Sequence, residues 1–346
     1  MSAARDLLTI RDYFRYAVSR FNAAGLAHGH GASNAIDEAA FLVLDSLDLP
    51  IDDINPFADC RLTLAERKLL AARIERRVKT REPAPYITGR AYIQGEAFRV
   101  DKRVIVPRSF IGELLAGGLF GGEGFSLIDD LDAVESVLDL CTGSGCLAIL
   151  AAKLFPNARV DAADLSKDAL DVAKLNVKDH GLEARITLHQ GDLFAPLGNR
   201  RYDLIITNPP YVDAKAMAAL PREYRHEPVM ALAGGADGLD IVRKILAGAP
   251  KHLAKGGGLM CEIGSGRGII DAEYPHLDFL WLDTEESAGG SVLAQGGSVR
   301  PPPEQARRQP HPVLRMICFQ IAVSSIRTYS RRRPHGPNSA CDIPMI

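Results

Sequence analysis

Two consecutive prolines, in TNPPY (Thr207–Tyr211), close the apolar run RYDLIIT. Neither proline can donate to a sheet ladder and each fixes its own φ, so a strand ends there. The proline after Asn208 biases that residue towards extended backbone. The chain thus spends restrained residues on presenting one amide side chain and one aromatic ring just past a strand end. A second strand ends in DLCTGSGCLAI (Asp139–Ile149). Gly143 and Gly145 fall where a strand turns into a helix, which allows a tight turn and close backbone approach to a ligand. Asp164 follows 19 residues after Gly145, at the end of the next strand. That spacing suits an acid accepting hydrogen bonds from a ribose. Ala148 completes a G-x-G-x-x-A pattern, so a nicotinamide or flavin remains an alternative on the loop alone. A third element, GDLF, places Asp192, Leu193 and Phe194 after a third strand. A carboxylate beside an apolar side chain could hold an adenine. Together with Gly143, Gly145 and Asp164 it describes a pocket for an adenosine-bearing cofactor at the carboxyl ends of the strands.

The elements that must position these residues follow a βαβ rhythm. SVLDL, ARVDAAD, ARITLHQ, RYDLIIT, GLMCEI and DFLWLD are strand candidates between residues 136 and 283. CLAILAAKLF and SKDALDVAKLNVKDHG are helical segments between them. The order predicts an α/β domain, a mostly parallel sheet with helices on both faces. Residues 1–83 read as helical. Leu7, Ile10, Phe14, Val18 and Phe21 share a face, and Gly25 stops the helix. Ser33 or Asn34 caps a second helix with Asp37 and Glu38 in its first turn, and Phe41, Leu44 and Leu47 along one face. Thr63 and Glu66 form a capping box for a third. Residues 84–106, with short aromatic and β-branched pieces between glycines, suggest a hairpin linking to the next domain. Pro107 precedes a further helix.

The 346 residues are 47% hydrophobic and 24% charged, with net charge −2, which is ordinary for a globular protein and gives no polyanion-binding signature. The six cysteines form neither a CxxC pair nor a Cys/His spacing for zinc, and no metal is expected. No apolar run reaches the roughly 20 residues of a membrane span. The first residues lack the order of a signal peptide. A cytoplasmic protein without a membrane partner is the expectation.

The pattern [DNS]PP[YFW] at this place resembles that of S-adenosylmethionine-dependent methyltransferases that modify a planar nitrogen. EPVMALAGGADGLD (Glu227–Asp240) is similar to the EPxxALxGGxDGL segment of the HemK/PrmC/PrmB family of protein-glutamine methyltransferases. VPRSFIGELL (Val106–Leu115) departs from the PRPETE pattern of the release-factor branch and resembles the PRS-x-I-x-EL pattern of the branch that modifies a large-subunit ribosomal protein. The segment IRDYFRYAVSRFNAAGLAHGHGASNAIDEA also looks like that branch. The resemblance covers about residues 8–288.

It implies a class I methyltransferase (Rossmann-like) sheet over residues 107–289, a helical substrate-recognition domain over 1–83 and a hairpin linker over 84–106. S-adenosyl-L-methionine would be held by Asp139, Gly143, Gly145, Asp164, Asp192, Leu193 and Asn208. The target amide would be held by Asn208, Pro209 and Tyr211. Arg108 and Ser109 would border the site, and Glu227 would order the loop after the motif. The substrate would be a large-subunit ribosomal protein, with no sequence-specific nucleic acid contact. A release-factor substrate, a nucleic-acid adenine target, a nicotinamide oxidoreductase and a cofactor-binding protein without turnover remain alternatives; the acidic body weighs against the adenine target.

Residues 290–346 break the pattern. They hold eight arginines, no lysine and eight prolines, against two acidic residues. The family would place an apolar strand here, inserted antiparallel into the sheet. The expectation is a disordered tail, its reading frame lost near residue 290, and a sheet one strand short. The rival is that MICFQIAV supplies the strand after a long loop.

Overall fold

Thr9, Asn34 and Thr63 each turn a side-chain oxygen onto the first free N–H groups of a helix, and three helices begin there: Ile10–Ala24, Ala35–Ser46 and Leu64–Thr80. Thr9 and Thr63 form full capping boxes with Asp12 and Glu66. The first helix ends at Gly25, whose φ of +59° suits a residue without Cβ. Its buried stripe is Ile10, Tyr13, Ala17 and Phe21, while Phe14 and Val18 sit at the margin and Leu7 precedes the cap. The computed structural model describes residues 3–117, 120–121, 126–282 and 315–320.

The expected linker is a short helix, Ala84–Thr88, followed by the hairpin β1 (Arg90–Ile93) and β2 (Glu96–Arg99). Gln94 and Gly95 both have positive φ, the geometry of a tight hairpin turn. The segment then passes Pro107 into the helix Phe110–Ala116, capped by Ser109.

The central sheet contains β3 (Ser136–Leu140), β4 (Arg159–Asp164), β5 (Ile186–Gln190), β6 (Tyr202–Thr207), β7 (Leu253–Ile263), β8 (Phe279–Leu282) and β9 (Arg315–Gln320). Its order is β5-β4-β3-β6-β7-β9-β8, and every pairing is parallel. Alternate residues feed two separate cores. Val137, Leu204, Ile206 and Met260 pack with the helices Phe110–Ala116 and Cys146–Leu154. Leu138, Leu140, Ile205, Leu259 and Cys261 pack with the helix Asp240–His252. Both faces are covered, which is why these strands read as nearly continuous apolar runs.

The chain moves outward from β3 through β4 to β5, then returns to place β6 on the other side of β3. That reversal opens a crevice at the carboxyl ends of β3 and β6, the place where such sheets bind ligands. The glycine loop leaves β3 and TNPPY leaves β6, so both motifs meet there.

The expectation of a sheet one strand short is corrected. Arg315–Gln320 lies between β7 and β8, in the place the missing strand would occupy. It runs parallel to both neighbours rather than antiparallel. β8 and β9 are separated in the sequence by residues 283–314, more than the dozen or so that a parallel crossover requires. The remainder of the expected disordered tail lies outside the described residues.

Candidate active site

The sheet register sets the level of the site. Leu140 pairs with Ala163 and with Thr207, and Thr207 pairs with Cys261. One residue further along each strand come Cys141, Asp164, Asn208 and Glu262. All four line a cavity of about 1200 Å³ at the crevice.

The carboxyl ends of β3, β4 and β5 and the loops after them contribute Cys141, Gly143, Asp164, Leu165, Asp192 and Leu193 to its wall. Gly143 has φ +56° and its N–H donates to Asp164 Oδ2 over 2.9 Å; Ser166 N–H donates to Oδ1 over 2.8 Å. Burial raises the Asp164 carboxyl above the usual range, and these N–H groups act against that rise. Cys141 and Leu193 hold φ of +58° and +48° without being glycine. Such strained backbone clusters at ligand walls.

Two expected cofactor contacts take other places. Asp139 is fully buried beneath the loop, off the cavity wall. Its Oδ2 accepts from Thr142 Oγ1 at 2.6 Å and from Ala148 N–H at 3.0 Å, so it shapes the loop from behind. Burial pushes its carboxyl up to about 7. Gly145 also lies off the wall: a Cβ there would stand 3.2 Å from Ala173 Cβ, so this glycine lets two helices approach. Phe194 stacks on His252, with ring centroids 4.6 Å apart.

The segment after β6 contributes Asn208, Pro209, Pro210 and Tyr211 to the same wall. Asn208 Nδ2 donates to the Arg108 carbonyl at 3.2 Å, which leaves its Oδ1 as an acceptor. Thr207 Oγ1 ties the strand end to the Leu140 carbonyl at 2.9 Å. The GGxDG segment explains itself here. A Cβ at Gly234 would stand 2.8 Å from the Pro210 carbonyl oxygen, and one at Gly238 would stand 2.4 Å from that of Tyr211. Only bare backbone can press so closely on the motif.

Residues 106–110 bracket the motif from behind. Glu227, 3% exposed, accepts from Val106 N–H at 2.9 Å and from both Arg108 Nη groups at 2.7 Å. Burial works to raise the Glu227 carboxyl, but Arg108 and His30 outweigh it and hold it at about 2. Ser109 Oγ and Phe110 N–H donate to Glu262 Oε2 at 2.6 and 3.1 Å, and Tyr211 Oη donates to Oε1 at 3.1 Å. Sequence reasoning passed over Glu262, since a lone acid inside the apolar run GLMCEI carries no motif. Its one signal was being charged within a buried strand.

The helical region also reaches the cavity. His28, Gly29, Gly31, Ala32, Ser33 and Asp37 line it. His30 is buried between the Tyr224 ring, at 4.4 Å between centroids, and Glu227, with Nε2 3.5 Å from Oε2. Behind them Arg77, 1% exposed, pairs with Glu38, which also binds His28. Glu223 accepts from Ala27 N–H at 3.1 Å and from Arg81 at 3.2 Å.

The Methyltransferase small domain family matches residues 125–222, which span the glycine loop and TNPPY. A ribosomal protein uL3 glutamine methyltransferase of Bradyrhizobium diazoefficiens is 61% identical over 285 residues, 82% of this chain and 89% of that protein. Those of Bordetella pertussis and Burkholderia pseudomallei are 55% and 54% identical, over 84% and 82% of this chain and 95% and 94% of theirs. With identity of this order over nearly the whole length of its relatives, the chain belongs to the ribosomal protein uL3 glutamine methyltransferase family.

Proposed function

We propose that this enzyme transfers a methyl group from S-adenosylmethionine to the side-chain amide nitrogen of a glutamine in ribosomal protein uL3. The observation that carries the reading is the crevice itself, where Gly143, Asp164 and Asn208 line one cavity at the carboxyl ends of β3, β4 and β6. When bound, S-adenosylmethionine supplies an electrophilic methyl on a sulfonium.

The residues present fit that group. Asp164 keeps lone pairs free beyond its two backbone donors and would accept from the ribose hydroxyls. Gly143 leaves room beside it, and Asp192 with Leu193 would hold the adenine.

The chain's own part is positioning and charge stabilisation. An amide nitrogen is a poor nucleophile because its lone pair is shared with the carbonyl. Asn208 Oδ1 and the Pro209 carbonyl would each accept from the target NH₂, fixing its plane and stabilising positive charge as it grows on nitrogen. The Tyr211 ring would pack on the flat amide. An amide protonated on nitrogen is strongly acidic, so no strong base is needed to take its proton. Residues 1–83, which bring His28–Ser33 to the cavity, would act as the substrate-recognition domain, and residues 84–106 as its linker to the methyltransferase domain at 107–289. As a modifier of a ribosomal protein the enzyme would work in the cytoplasm. Among the described residues no helix is long and apolar enough to cross a membrane.

The test is transfer of labelled methyl to isolated large-subunit proteins and to release factors. Label on a uL3 glutamine is expected. Asn208→Ala should lower it by about 100-fold or more while leaving cofactor affinity within a few-fold. Label confined to release factors would overturn the substrate assignment.

A further inference from the structure

Glu262 is a carboxylate with no exposed surface, set at the end of β7 beside the motif that leaves β6. Burying a charge is costly unless its oxygens are met by donors. Here each oxygen is met. Oε2 takes the Ser109 hydroxyl at 2.6 Å and the Phe110 N–H at 3.1 Å, and Oε1 takes the Tyr211 hydroxyl at 3.1 Å. Those donors come from two segments about a hundred residues apart, and both segments line the cavity. The same bracket, through the Arg108 carbonyl, also holds Asn208. Without an acceptor at Glu262, nothing described would fix the Tyr211 hydroxyl, and the ring would turn on its side-chain torsions.

We propose that Glu262 is a positioning residue of methyl transfer, locking Tyr211 against the Ser109–Phe110 turn so that the ring stands ready for the incoming amide. This rests on the reading of Tyr211 as the wall of the glutamine site. Glu262 acts through Tyr211 and has no need to touch the methyl donor. It also explains why an acid is placed within an apolar strand: Asp would be one methylene short of both donor groups, and Gln would present an NH₂ to one of them. Burial pushes the carboxyl up to about 7, against the pull of Ser109, Tyr211, Phe110 and the nearby Arg108 guanidinium, so the group can lose its charge as the pH falls.

The test uses the full-length enzyme with Glu262→Gln, Tyr211→Phe and the double variant. Glu262→Gln should lower kcat on uL3 by about 10- to 100-fold, because a displaced positioning group costs that much. S-adenosylmethionine affinity should stay within a few-fold, which also reports that the variant is folded. The double variant should be no slower than the slower single one, since both changes break one contact. Full turnover in Glu262→Gln, or losses that multiply, would overturn the proposal. A second readout is independent of the substrate: the fluorine resonance of 3-fluorotyrosine at position 211 should shift in Glu262→Gln. An unchanged line would also overturn it. If the wild-type enzyme leaves uL3 unlabelled, the functional reading fails by itself, and the fluorine signal still decides whether Glu262 holds Tyr211.

Discussion

At the scale of single residues, the site divides into groups that face the cavity and groups that hold those in place. Asp164 and Asn208 face it; Asp139, Gly145 and Glu227 stand behind. The distinction matters for acids, because a buried carboxylate and a cavity-wall carboxylate look the same in sequence. Asp139 spends its hydrogen bonds on Thr142 and Ala148, whereas Asp164 accepts two backbone N–H groups and retains lone pairs. Asp164→Asn replaces one acceptor oxygen by a donor that must face either an N–H or the ribose. S-adenosylmethionine affinity, read by titration calorimetry, should fall by about 10- to 100-fold, the equivalent of one charge-assisted hydrogen bond. Unchanged affinity would remove Asp164 from the cofactor wall.

Among the elements, β9 is the one whose contribution is least obvious from its composition. Arg315–Gln320 follows a proline- and arginine-rich stretch, yet it pairs with β7 from Gly258 to Ile263 and with all of β8. Among the described residues, β8 reaches the sheet only through β9. A chain ended after Gly289 would therefore lose two strands from the sheet and leave the polar backbone edge of β7 unpaired, next to Glu262. Such an edge invites association with other chains. The shortened protein should unfold at lower denaturant concentration and aggregate at lower temperature than the full chain. Equal stability in the two would mean that β9 contributes nothing to the sheet.

Across the whole molecule, buried charged contacts cross from the helical region to the segment after TNPPY. Arg77, on a helix of residues 1–83, pairs with Glu38 on another, donates to the Ala27 carbonyl, and lies 3.8 Å from Glu223 in the segment after TNPPY. Burial works to raise the Glu38 carboxyl, but His28 and Arg77 bring it to about 2. Replacing both partners of a buried pair can be neutral, but removing one leaves a charge stranded. Arg77→Met should lower unfolding free energy by about 3–5 kcal/mol in urea titrations. A loss below about 1 kcal/mol would show that this network is worth no more than an exposed ion pair.

The sequence by itself determined the local structure. Asn34 and Thr63 named their helix starts because capping is satisfied within four residues, whereas the Thr9 cap was not read from the sequence. The βαβ order and the all-round burial of the sheet were legible from the apolar runs, which depend only on periodicity. The two loops of the site were legible because proline restricts the backbone and glycine permits turns closed to other residues, wherever they fall. The tertiary structure decided what depends on distant segments meeting. It put Asp139 and Gly145 behind the loop rather than on the wall, since which side of a turn faces the ligand depends on what packs beneath it. It set β9 parallel between β7 and β8, a direction that no local signal in the strand itself specifies. It also brought Ser109, Phe110, Tyr211 and Glu262 together, and His28–Ser33 to the cavity. Hydrogen bonds across a hundred residues leave no periodic trace in a single sequence, and only folding makes them neighbours.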